Sequence, residues 1–169
     1  MTLEVALEAD EEWDSSSSPW KPLVRKAAEA AIAESAYPAL SDSERTVEFS
    51  VTLTGDEQVR TLNAKWRGKD KPTNVLSFPM ADELDLKRAT VAERELLLGD
   101  IVLAHGVCER EASEKGVSFQ EHATHLLVHG TLHLLGYDHD REDDAIDMEA
   151  REVRALKRLG ISNPYEVPA

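Results

Sequence analysis

The chain has 169 residues, enough for one domain with a sizeable core, and its 33 acidic against 19 basic side chains give a net charge of −14. That excess of acid argues against a broad electrostatic grip on phosphate backbones, so any contact with nucleic acid has to be local. One cysteine, Cys108, excludes an intramolecular disulfide framework and reads as a small buried apolar residue, and no stretch approaches the ~18 apolar residues of a membrane span.

Residues 2–9, TLEVALEA, alternate apolar and polar side chains and predict a first strand. Residues 10–19 are acidic and serine-rich, a flexible loop that Pro19 closes. From Trp20 to about Ala36 the positions Leu23, Val24, Ala27, Ala31 and Ile32 have helical period. Val47, Phe49, Val51 and Leu53 alternate through a second strand that Gly55 ends, and Asp56 to Trp66 is a short helix with Val59 and Leu62 inward. A charged loop then leads to a strand at Val75 to Phe78. Residues 81–95 form a variable acidic loop, and LLLGDIVLA supplies another strand near Asp100 to Ala104.

A helix from Gly106 to Lys115 follows. Ser118 and Glu121 make a capping box for the next one, whose apolar residues surround so much of the cylinder that it is expected to be central and largely buried. Asp140 is placed to cap a last helix that Gly160 stops. The class is therefore α+β, or mixed α/β: a single domain with a mixed sheet of about four strands and about five helices. The N-terminus lacks the basic and apolar regions of a signal peptide, so a cytoplasmic protein is expected.

The central helix carries the most informative segment, HGTLHLLGYDH, from His129 to His139. His129 and His133 are four apart and so lie one turn above each other on one helix face. Gly136 can end the helix in a left-handed turn that brings His139 to the same point. Two histidines at this spacing are often mere packing or surface residues, but a third one after a helix-ending glycine makes a metal site the better reading. Three imidazoles leave a tetrahedral Zn²⁺ one open position, the ligand count of catalytic sites, from which a bound ion could activate water and polarise a phosphoryl or carbonyl oxygen. Nickel, copper and cobalt accept imidazole too. Zinc proteases with this spacing keep a glutamate after the first histidine as general base, whereas here the residue is Gly130.

Three segments in order, KPTNVLSFP, LGDIVLA and HGTLHLLGYDH, followed by Met148, Glu152 and Leu159-Gly160, resemble the YbeY family of bacterial metal-dependent endoribonucleases over roughly residues 45–165. The resemblance implies that His129, His133 and His139 bind the metal, usually taken as zinc, and that Arg67 belongs to the active centre. It also implies single-strand-specific cleavage in the 3′-end maturation of ribosomal RNA and in ribosome quality control. A guanidinium suits that role, since its planar fork holds a phosphate through two hydrogen bonds. Many members carry aspartate where this chain has Asn74, so Asn74 is assigned no chemistry.

The catalytic residues are thus expected to be Arg67 and His129, with Arg67, Lys69, Lys71 and His125 touching substrate. Asp138, beside the third ligand, is expected to fix a histidine tautomer from behind or to cap the next helix. His125 and His122 continue the helical stripe, where a polar residue at the helix edge is the more common case. Residues 60–71 hold five basic side chains, Arg60, Lys65, Arg67, Lys69 and Lys71, against the single acid Asp70. A single strand of a ribosomal RNA precursor is expected to thread a short groove between this loop and the histidines, with the small ribosomal subunit or an assembly-associated protein as partner. Two rivals remain, a zinc-dependent amide or peptide hydrolase and a non-catalytic, metal-stabilised ribosome assembly factor. Oligomeric state is left open.

Overall fold

The computed structural model describes residues 1–15, 18–88 and 95–166. A four-stranded sheet is formed by β1 (Thr2–Ala9), β2 (Thr46–Thr54), β3 (Val75–Pro79) and β4 (Leu96–Ala104), in the order β1-β2-β4-β3. The first three positions in that order run parallel, and β3 pairs antiparallel with β4 at the edge, Val75 opposite Leu103 and Pro79 opposite Gly99. Proline at the end of an edge strand leaves no ladder bond unmade. The fold is a single α+β domain with a mixed sheet, as its patterning predicts.

The five longer helices are α2 (Trp20–Ala33), α3 (Asp56–Arg67), α5 (His105–Lys115), α6 (Phe119–Leu134) and α7 (Glu142–Arg158). Two short helices add to them inside segments expected to be loops. Residues 11–14 form α1 (Glu11–Asp14), because Asp10 accepts from Glu12 N at 3.1 Å and Trp13 N at 3.5 Å. Trp13 then fills the core, with its indole N–H donating to Thr54 O at 2.9 Å. Within the expected loop 81–95, α4 (Glu83–Lys87) is started by a reciprocal capping box between Asp82 and Asp85 and held by buried Leu86. Residues 16–17 and 89–94 of those two loops lie outside the described residues.

Alternation along β4 divides the interior. Ile101 and Leu103 face the large core shared with α2, α6 and α7, while Val102 and Ala104 face a small second core with Val59 of α3 and Leu76 of β3. The sheet is therefore covered on both sides, with α6 on one face and α3 on the other. Helix α6 contacts α2, α5, α7, β3 and β4 and is buried on most of its circumference, as its all-round apolar pattern predicts. Ser118 caps its start by accepting from Glu121 N at 3.0 Å. Asp140 does not cap α7: the cap position belongs to Arg141, with no side-chain bond, and Asp140 N is taken up by the carboxylate of Asp138 at 2.7 Å.

Candidate metal centre and basic cleft

Helix α6 presents His129 and His133 from successive turns, and Gly136, with φ 96°, makes the left-handed turn that returns the chain toward them. Tyr137 N closes that turn on Leu132 O at 3.1 Å. The turn is clamped from outside, since the Tyr137 hydroxyl accepts from Ala36 N at 2.8 Å and the Arg151 guanidinium lies 4.9 Å from the ring centroid. His139 then completes a cluster in which one donor atom per residue lies within 4.8 Å of the others.

The hydrogen bonds behind these rings decide what the front can do. A backbone carbonyl only accepts, so the contact from His133 Nδ1 to Tyr137 O at 2.7 Å fixes the proton on Nδ1. His129 Nδ1 likewise donates to the ionised carboxylate of Glu152. Each ring is left with a lone pair on Nε2, and these two nitrogens face each other at 3.0 Å. Neither has a proton to offer in the neutral state, so the pair could share a cation. Two imidazole nitrogens on one tetrahedral ion stand about 3.4 Å apart, which follows from metal–nitrogen bonds of about 2.0–2.1 Å. The donor set fits a borderline-soft divalent ion. Burial, and then the neighbouring His129, push His133 down to about 4, so it stays neutral and able to ligate at pH 7.

Glu152, on α7, has no solvent exposure. Burial raises its pKa, but hydrogen bonds from His125 and His129 outweigh that effect and hold the carboxyl down at about 2. The supporting role expected of Asp138 thus belongs to Glu152 and to the Tyr137 carbonyl. The sequence does carry a signal: Met148, Glu152, Ala155 and Leu156 form one buried stripe of α7, and a lone acid in an apolar stripe requires a partner. His125 also differs from its expected place. It is buried, donates from Nε2 to Glu152 at 3.2 Å, and is absent from the wall of the cleft. One helical turn before His129 on an almost fully buried helix points into the interior, not at substrate.

The histidines open into a cleft of about 660 Å³ whose other wall is the segment after α3. Arg67, Lys69 and Lys71 line it, together with Asn74, Glu111 and Asp138. Two of the five basic residues of this region are engaged elsewhere: Arg60 pairs with Asp70 at 2.9 Å, and Lys65 lies 5.0 Å from the centroid of Trp66. Asn63, nearly fully buried, donates from its amide to Lys71 O at 2.8 Å and pins the basic loop to α3. Asn74 accepts from Val75 N at 2.7 Å and donates to Glu111 at 2.9 Å, so both ends of the amide are used to tie the loop down. An ionised aspartate there could not make the second bond.

Glu111 is a cleft residue that motif reasoning does not single out. Its Oε1 accepts from Asn74 and from His122 Nε2, both at 2.9 Å, and its other oxygen has no partner among the described residues. Burial raises its pKa, yet the bonds from His122 and Asn74 prevail and keep the carboxyl below its ordinary range. Gly130 explains the missing protease glutamate. A Cβ at that position would meet Ile101 Cγ2 and Ser77 Oγ at 3.1 Å, because this face of α6 lies directly on β3 and β4. A side chain at 130 would have to displace Ile101 and Ser77.

The fold and the site define an α+β domain in which a cluster of three imidazoles able to hold a cation shares a cleft with a basic loop. The chain matches the family described as Endoribonuclease YbeY over residues 8–160, and it belongs to that family of endoribonucleases. Among its relatives, the Endoribonuclease YbeY of Rhizorhabdus wittichii is 50 % identical over 166 residues, covering 98 % of each chain. That of Sphingopyxis alaskensis is 54 % identical over 147 residues, covering 86 % of this chain and 88 % of its own. The solution structure of TM1509 from Thermotoga maritima aligns over 98 % of this chain and 100 % of its own with a TM-score of 0.53, a likeness of fold at 21 % identity.

Proposed function

We propose that this chain is a zinc-dependent, single-strand-specific endoribonuclease of ribosomal RNA 3′-end maturation and ribosome quality control. The observation that carries the reading is the pair of proton-free Nε2 atoms of His129 and His133, 3.0 Å apart, opening with His139 into the cleft that Arg67, Lys69 and Lys71 line. When bound there, a Zn²⁺ ion would supply an activated water and polarise a non-bridging phosphate oxygen.

The chain's own residues account for the rest. Arg67 holds the scissile phosphate through two parallel hydrogen bonds and neutralises the charge that develops on it. Lys69 and Lys71 meet neighbouring phosphates as point charges. Glu111, ionised and with one oxygen free, is placed in the cleft to accept a proton from the attacking water. Glu152 and the Tyr137 carbonyl keep His129 and His133 in the tautomer that leaves Nε2 bare.

With a net charge of −14 and a basic face confined to one short loop, the chain reaches its substrate in the cytoplasm on the small ribosomal subunit or through an assembly-associated protein. None of its described helices is long and apolar enough to cross a membrane. Gly130 speaks against a peptidase, since zinc proteases with this histidine spacing keep a glutamate there as general base. The test joins elemental analysis to RNA cleavage for wild type, Arg67→Ala and His133→Ala. The reading expects about one zinc per wild-type chain, and loss of metal and cleavage in a folded His133→Ala. An inactive but metal-loaded wild type, or a His133→Ala that unfolds, would move the protein to the structural, non-catalytic alternative.

A further inference from the structure

The three tryptophans of the chain divide sharply. Trp13 and Trp20 are buried in the core, while Trp66 leaves 63 % of its surface to solvent. Its ring packs into neither hydrophobic cluster, and its indole N–H has no partner among the described residues. The fold makes no use of it. Yet it stands on the last turn of α3, one residue before Arg67, so its Cα lies about 3.8 Å from that of the phosphate clamp and its side chain leaves the helix about 100° further round. Lys65 Nζ, 5.0 Å from the ring centroid, adds a positive charge at its face.

We propose that Trp66 is a stacking platform for an unpaired nucleobase of the RNA strand whose phosphate Arg67 holds. The inference rests on the RNA reading above and extends it to the bases. Trp66 stands outside the residues that line the cleft, so a strand drawn along Lys71, Lys69 and Arg67 by its phosphates meets it with a base turned out past the rim beside Arg67. Base–aromatic stacking accepts any base, because every base has a π face. It does not accept a base already stacked in a duplex. The platform therefore supplies, from one exposed side chain, a preference for single strands that the phosphate contacts cannot supply, since phosphates are alike in both.

The buried positions of Trp13 and Trp20 make the test direct, because Trp66 is the one indole exposed to a bound strand. Zinc-loaded wild type is titrated with a short 2′-O-methyl oligoadenylate and with an abasic strand of the same length. The oligoadenylate quenches the red-edge emission and the abasic strand does not. Trp66→Leu binds oligoadenylate about tenfold more weakly, the loss of one base–aromatic stack, with an unchanged dependence on salt. Trp66→Phe, which keeps a ring, retains most of the affinity. Arg67→Ala, by contrast, weakens both strands and lowers the salt slope by about 0.7. Oligoadenylate binding by Trp66→Leu equal to wild type, equal losses in the Phe and Leu variants, or equal quenching by the abasic strand would overturn the platform while leaving the RNA reading intact. Binding of neither strand by wild type would overturn the RNA reading, and the platform with it.

Discussion

A carboxylate without solvent exposure is costly unless it is paired, and Glu152 accepts from His129, His125 and the Tyr165 hydroxyl. One of its oxygens holds the ring of a candidate ligand and the other is tied to the C-terminal segment. Glu152→Gln keeps the shape but removes the charge that orients His129. Its affinity for zinc, measured by competition with a chromophoric chelator, is expected to fall 10–100-fold, the usual cost of losing such an outer partner. Affinity equal to wild type would mean that His129 is oriented without it. Gly130 makes a second prediction at this scale. Gly130→Ala pushes a methyl against Ile101 and Ser77, and neither a strand side chain nor a buried helix can retreat freely. A loss of about 1–3 kcal/mol in denaturant unfolding is expected, where the usual glycine-to-alanine change in a helix is stabilising.

Among the elements, α2 and α7 are joined where α2 ends. Glu34, its cap residue, accepts from Arg154 at 3.0 Å and from Arg158, and its carbonyl accepts from Arg151 at 2.8 Å. The hydrogen bond from Arg158 is the largest influence on Glu34 and holds its carboxyl below the ordinary value. A folded-state pKa below the unfolded one stabilises above the unfolded value and is lost as pH falls through the folded value. Glu34→Gln should therefore cost on the order of 1 kcal/mol at pH 7 in unfolding curves, little because the arginines are half exposed, and the difference should shrink as pH falls below the ordinary glutamate value and vanish below the depressed folded-state value. A penalty that persists at low pH would assign the loss to packing. Helix α1, like α4, is an element that periodicity does not reveal. It has four residues, too few to show a repeat, and is held by Trp13, whose ring partners Trp20 and the sequence-distant Phe119 both lie 5.0 Å away in ring centroid. The five longer helices and four strands are legible because each repeats its apolar spacing over several turns or pleats. What was not legible in the site has the same cause: His129 and Glu152 are 23 residues apart, Asn74 and Glu111 are 37 apart, and nothing local to either member announces the other. The ligands themselves stand in one eleven-residue segment and could be read directly.

Over the whole molecule the charge is strongly negative, and in the cleft the cations Arg67, Lys69 and Lys71 stand against the carboxylates Glu111, Asp138 and Asp140. The first turn of α7, with Glu142, Asp143 and Asp144, lies just beyond His139 in the chain, so acid borders the histidine side while Lys69 and Lys71 border the other. On the proposed reading a strand is received at one short basic edge and repelled around it, and few counterions are released on binding. The slope of log affinity against log salt should be about −2, near 0.7 for each of the three cleft cations. A slope several times steeper would require a phosphate path outside the cleft. The central claim is that cation pocket and arginine act as one site on one phosphate. It is tested most directly by single-turnover cleavage of a single-stranded RNA by wild type and Arg67→Ala, with zinc content measured on the same samples. The account predicts one zinc per chain in both and cleavage at least 10²-fold slower in the variant, the usual cost of removing one charge-stabilising donor. Wild-type cleavage by Arg67→Ala at full zinc content would contradict it.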